Sequence, residues 1–138
     1  MPIGHPSLPR HYINLAEIYI DQGSHPIDKA SFLKARSILL KAIALYVKYP
    51  PPNQEEIGKS YWLLATIHFD IKDFKAAEPF YLQAADIAVA RFGLENNMTQ
   101  GIINEYLICV KNQGKDIRPL LKKFGLGVRP LIISDLSH

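Results

Sequence analysis

"FKAAEPFYLQAADIAVARFG", residues 74–93, holds six alanines, four aromatic residues and a proline inside what otherwise reads as one helix. Ala77 and Ala84 are seven apart and share one helix face, with Phe74 and Tyr81 at neighbouring positions on it. Small side chains let two helices approach closely, and aromatic ones fill the space between successive helix pairs. The arrangement occurs twice: Phe32, Ala35, Leu39 and Ala42 hold the relative places of Phe74, Ala77, Tyr81 and Ala84. The stretch therefore predicts a repeat.

Working outward, nearly every segment reads as helix. Apolar residues between Arg10 and Asp21 recur at three- and four-residue spacings, with Ser7 and Pro9 as start signals and Gly23 as a stop. A second helix is expected over 28–49, ending against three prolines at 50–52 that cannot continue it. Further helices are expected over 54–71, 74–91, 99–112 and, shorter, 117–124, and a strand only at 131–133. The turn positions Lys72 and Gly114 are 42 residues apart, and Gly23 precedes Lys72 by 49, which adds two helical turns. The expected fold class is all-α, an α-solenoid of antiparallel helix hairpins.

On these residues the chain resembles the tetratricopeptide repeat family over about residues 9–125. The middle repeat matches the family's small places with Ala65, Ala77 and Ala84, and its bulky ones with Leu64, His68, Phe74 and Tyr81. The first repeat matches with Ala16, Ala35 and Ala42, and with Leu15, Tyr19, Phe32 and Leu39. The segment "AAEPFYLQAADIAVARFGLENN", followed by "NEYLICVKNQGK", is similar to the 42-residue repeats of kinesin light chains, which also carry a proline where Pro79 stands. The resemblance implies a superhelix of about two and a half repeats, 9–49, 54–92 and 99–125, with a tail at 126–138. It departs from the family at His68, at Leu63–Leu64, and in the third repeat, where Pro119, Lys123 and Leu126 occupy places for small and aromatic residues.

The totals agree with one helical domain. The chain has 138 residues, 48% apolar and 21% charged, which suits one ordinary core. No run reaches the ~20 apolar residues of a membrane span, and "MPIGHPSLPR" lacks the apolar stretch of a signal peptide. Cys109 is the single cysteine, so no internal disulfide can form, and a reducing compartment, the cytoplasm, is expected.

Chemistry-bearing patterns are absent. None of the five histidines makes a metal-binding spacing, and no phosphate-cradling glycine loop or nucleophile elbow occurs. His68 reads as a packing residue, and Cys109, in an apolar helix, as a buried inert thiol. Neither an enzyme nor a cofactor is expected.

The resemblance implies instead a concave groove lined by the first helix of each hairpin. Its inward places fall on Arg10, Ile13, Asn14, Glu17 and Asp21, then Lys59, Trp62, Leu63, Thr66, Phe69 and Asp70. In the third repeat they fall on Asn104, Glu105, Ile108, Lys111 and Asn112. The expected partner-binding set is Asn14, Glu17, Lys59, Trp62, Thr66, Phe69, Asn104, Glu105 and Lys111. The mixture of aromatic, amide and charged groups suits a peptide of a protein partner. Trp62 is the sharpest candidate, with packing between neighbouring helices as its competing role.

Two alternatives stand beside this reading. Residues 115–129 carry Lys115, Arg118, Lys122, Lys123 and Arg129 against Asp116, a basic end that could meet nucleic acid or an acidic partner. Only Phe124 lies among those basic residues, so a base-stacking platform has little support. The incomplete third repeat offers the other alternative, self-association into a homodimer.

Overall fold

The computed structural model describes residues 7–24, 28–48 and 53–125. They form six helices and no strand: α1 (Ser7–Ser24), α2 (Lys29–Lys48), α3 (Gln54–Asp70), α4 (Phe74–Phe92), α5 (Asn97–Lys111) and α6 (Arg118–Lys123). The expected strand at 131–133 and the tail at 126–138 lie outside the described residues.

Helix starts follow from short polar side chains. Asn53 accepts from the Glu56 amide at 3.2 Å, with Glu55 and Glu56 in the first turn of α3, where a helix dipole favours negative charge. Asp73 caps α4 through the Ala76 amide, and Asn96 caps α5 through the amides of Met98 and Thr99. Because Asn96 caps, α5 begins at Asn97 rather than at Thr99 as the apolar spacing suggested. The α3–α4 turn closes with Lys72 at φ 65, the Asp73 amide bonding His68 O at 2.8 Å and the Lys72 amide bonding Phe69 O at 2.9 Å. That is the paired arrangement of a left-handed helix stop, normally a glycine position. Gly114, 42 residues later, has φ 76.

Pro79 lies within α4, which continues unbroken to Phe92. Its missing amide would have bonded Lys75, in the helix's first turn, so a single bond near one end is lost.

Successive helices pack side by side: α1 on α2, α2 on α3, α3 on α4 and α4 on α5. The α3–α4 pair is antiparallel, since Glu55 meets Arg91, Gly58 meets Ile87, and Phe69 meets Phe74. The α4–α5 pair is antiparallel too, with Thr99 Oγ1 near Ala88 O and Cys109 Sγ donating to Phe74 O. Two apolar clusters result. One holds Ile13, Ala16, Phe32, Ala35, Leu39 and Ala42 with Leu64 and Ile67 of α3. The other holds Ala65, Ala77, Tyr81, Ala84 and Ala85 with Ile103, Tyr106, Leu107 and Phe124. Tyr61 and Phe80, stacked at 6.2 Å, pack against both.

Two expectations shift. Leu15 is 40% exposed, whereas Leu64, the residue matched to it, is fully buried. Leu64 packs against α1 and α2, while no described element covers that side of α1. Ile13, expected to face a groove, is buried in the first cluster with Ala16 and Ile20. The short helix expected over 117–124 is present as α6, and Phe124 at its end is buried edge-on to Tyr106.

Candidate functional site

The expected binding residues lie on α1, α3 and α5, and two bonds tie these helices together. Lys59 Nζ lies 2.9 Å from Glu17 Oε1, joining α3 to α1 across 42 positions. Trp62 Nε1 donates to Glu105 Oε2 at 2.7 Å, joining α3 to α5 across 43. Four of the nine expected residues are therefore partners of one another. Trp62 is half-buried: its ring packs against the second cluster and its N–H is committed to Glu105.

Thr66 donates to Trp62 O at 2.9 Å, and its hydroxyl lies near that of Tyr81. Phe69 sets its ring edge against Phe74 at 5.3 Å and Tyr81 at 6.1 Å, so it braces the α3–α4 pair. Asn14 and Lys111 are exposed and Asn104 is half-buried. These three stand apart from the bonded group.

Burial pushes the Glu105 carboxyl above its ordinary range; the Trp62 bond opposes the shift and the Asp70 carboxylate adds to it. Asp70 is raised as well, by burial, against the pull of Lys72. Tyr81 is pushed up, first by burial and then by the Glu105 charge.

Beside Trp62 opens a cleft of about 290 Å³ between α3, α4 and α5. Its walls are Trp62, Ala84, Ile87, Ala88 and Ile102, and Phe92 and Met98 stand exposed in its lining. Gly58 lets α3 approach α4 there, since a Cβ at that position would lie 2.9 Å from Ile87 Cγ2. The charges in the lining are all paired: Glu55 with Arg91 at 3.1 Å, Glu56 with Arg10 at 3.6 Å, and Lys59 with Glu17. An apolar interior with a compensated rim suits uncharged apolar side chains.

Of the expected set, only Lys59 and Trp62 line this cleft. Ile87, Phe92, Met98 and Ile102 were not anticipated, because they come from the end of α4 and the start of α5. Gly58, an isolated glycine inside a helical pattern, is the sequence signal that two helices meet closely at this point.

His68 is buried, stacked on Phe80 at 5.9 Å, and its Nε2 accepts from Arg36 Nε at 3.2 Å. Its Nδ1 is buried without a hydrogen-bond partner, with Asp73 Oδ2 3.7 Å away. Cys109 is buried, and its thiol is pushed up to about 12 by burial and the Glu78 charge. Among the described residues no three His, Cys, Asp or Glu side chains are grouped to hold a metal ion, and no helix is long and apolar enough to cross a membrane.

No family model matches the chain, and no curated protein or solved structure matches it.

Proposed function

We propose that the protein is a tetratricopeptide-like protein-interaction module, not an enzyme, which binds a segment of a partner protein in the cleft between α3, α4 and α5. The observation that carries this reading is the apolar cleft beside Trp62, with Phe92 and Met98 exposed in its lining. Exposed large apolar side chains around a preformed concavity are what a partner's anchor residues need. The ties Glu17–Lys59 and Trp62–Glu105, one repeat length apart, support a solenoid of stacked hairpins in which neighbouring first helices line one side. A lone buried thiol agrees with a cytoplasmic setting.

The basic end draws less support as a nucleic-acid site. Lys115 pairs with Glu78, Arg118 with Asp116, and Lys123 with Asp86, which leaves fewer cations for phosphates. Self-association through the third repeat is weakened where Phe124 already covers Tyr106.

The test is selection of peptides from a displayed random library on the full chain, followed by fluorescence titration. Trp62 is the only tryptophan, so its emission reports on the cleft directly. Selected peptides should shift that emission and lose about tenfold or more in affinity against Met98→Lys, whose side chain is exposed. Peptides that bind Met98→Lys and Phe92→Lys as well as the wild type, with no change in Trp62 emission, refute the cleft as the site.

A further inference from the structure

The most one-sided charge in the described chain belongs to α2, which carries Lys29, Lys34, Arg36, Lys41 and Lys48 and no acidic residue. Its inner face is closed, with Phe32, Ala35, Leu39 and Ala42 fully buried. On its outer face Leu33, Ser37, Leu40, Ala44 and Val47 follow at alternating spacings of four and three, and all five are exposed. Leu33 is 48% exposed, Leu40 38% and Val47 64%.

That spacing is the seam by which one helix packs along another, here with the larger residues at d and small ones at a. Lys34 and Lys41, both exposed, then occupy e positions along one edge of the seam, with the Lys34 ammonium 5.7 Å from the centre of the Tyr19 ring of α1. The other edge is taken up by the fold: Ile43 is buried, and Arg36 bonds His68. In the same stripe one repeat later, Lys75, Pro79 and Asp86 stay exposed and only the two apolar places are partly covered. Leu82 and Val89 of α4, 42 positions after Leu40 and Val47, are half-buried against the cluster that Leu120 and Leu121 of α6 join. Asp86, at the place of Ala44, meets Lys123 of α6 at 3.6 Å.

We propose that the α2 seam docks an amphipathic helix of a partner protein whose apolar stripe is flanked by glutamate or aspartate. Charge selects this occupant. A second copy laid antiparallel would set lysine against lysine, and laid parallel would set lysine against Arg36 or buried Ile43. The seam has no aromatic residue and two small ones, a shallow trough for knobs rather than a face that inserts among lipid headgroups. It lies on a different helix from the cleft, so the two sites stand or fall separately.

The test uses two synthetic three-heptad peptides with leucine at every a and d position, one with glutamate and one with lysine at every e and g position. Each is titrated into the full chain at low and high salt. The glutamate peptide should bind about fivefold more tightly, as two exposed ion pairs of ordinary strength would give. The preference should shrink at high salt. Leu40→Asp should abolish binding with the helical circular dichroism unchanged. Lys34→Glu combined with Lys41→Glu, both on the surface, should invert the peptide preference, and it reads the same interface if Leu40→Asp fails to fold. Equal binding of the two peptides overturns the proposal, as does glutamate-peptide binding that survives both variants. A dimer in sedimentation that Leu40→Asp dissociates overturns it in favour of a second copy. Binding to phosphatidylserine-containing vesicles without binding to either peptide overturns it in favour of a lipid surface.

Discussion

Replacing Gly58 by alanine sets two effects of known sign against each other. Alanine favours the helical state by about 1 kcal/mol over glycine in a helix interior. Its Cβ, however, would stand 2.9 Å from Ile87 Cγ2 and 3.4 Å from Ile87 Cβ. The struck methyl hangs directly from a β-branched carbon with one strongly preferred rotamer in a helix, so it cannot swing aside. α3 must draw back from α4, and overpacking of this kind costs about 1–3 kcal/mol. The net expectation for Gly58→Ala is a loss of about 1 kcal/mol, read as a lower urea midpoint at unchanged slope. Ile87→Ala removes the obstructing methyl, so in that background Gly58→Ala should become neutral or stabilising. The coupling between the two sites should be about 1–2 kcal/mol. Stabilisation by Gly58→Ala in the wild-type chain would refute the close approach of α3 and α4 and, with it, this wall of the cleft.

Trp62→Phe keeps a six-membered aromatic ring but leaves the Glu105 carboxylate without its donor, and should cost about 1–2 kcal/mol in urea unfolding; no loss would mean that the α3–α5 tie is not made. Burial, helped by the Arg36 guanidinium and opposed by Asp73, holds His68 below its ordinary value of 6.5. The native state then binds fewer protons than the unfolded chain, so this contribution to stability is full above pH 6.5 and is lost as pH falls through the folded value. The His68 imidazole resonance should titrate below 6.5 and move upward in Arg36→Gln; a midpoint at or above 6.5 in the wild type contradicts the buried neutral form. Cys109 should resist a thiol reagent in the native state and react only as the chain unfolds, whereas rapid native labelling would place its Sγ at the surface.

The helical layout is readable in the sequence because its signals are local. Alanines and aromatics at three- and four-residue spacings mark the buried stripe of α4, and all of Ala77, Tyr81, Ala84 and Ala85 prove buried. The turn positions Lys72 and Gly114, 42 residues apart, both adopt positive φ. The cleft was not readable, because it depends on a contact between Gly58 and Ile87 and on side chains from three helices. Nor could spacing tell that Trp62 and Glu105, or Lys59 and Glu17, would spend their polar atoms on each other. The α2 seam has a regular spacing, but α2 is apolar nearly all round. Only the burial of Phe32, Ala35, Leu39 and Ala42 shows which side is left outside.

Tyr61 and Phe80 are the stacked pair that packs against both apolar clusters. In hydrogen exchange the chain should therefore behave as two protected blocks sharing one latch. The α5–α6 block should open without α1–α2, at a free energy below that of global unfolding. Tyr61→Ala should widen the difference in protection between the blocks, whereas a core substitution such as Leu107→Ala should act on the second block alone. A partner that grips α3 and α5 together would then slow exchange in the far block through α3, whose Leu64 and Ile67 lie in one cluster and Ala65 in the other.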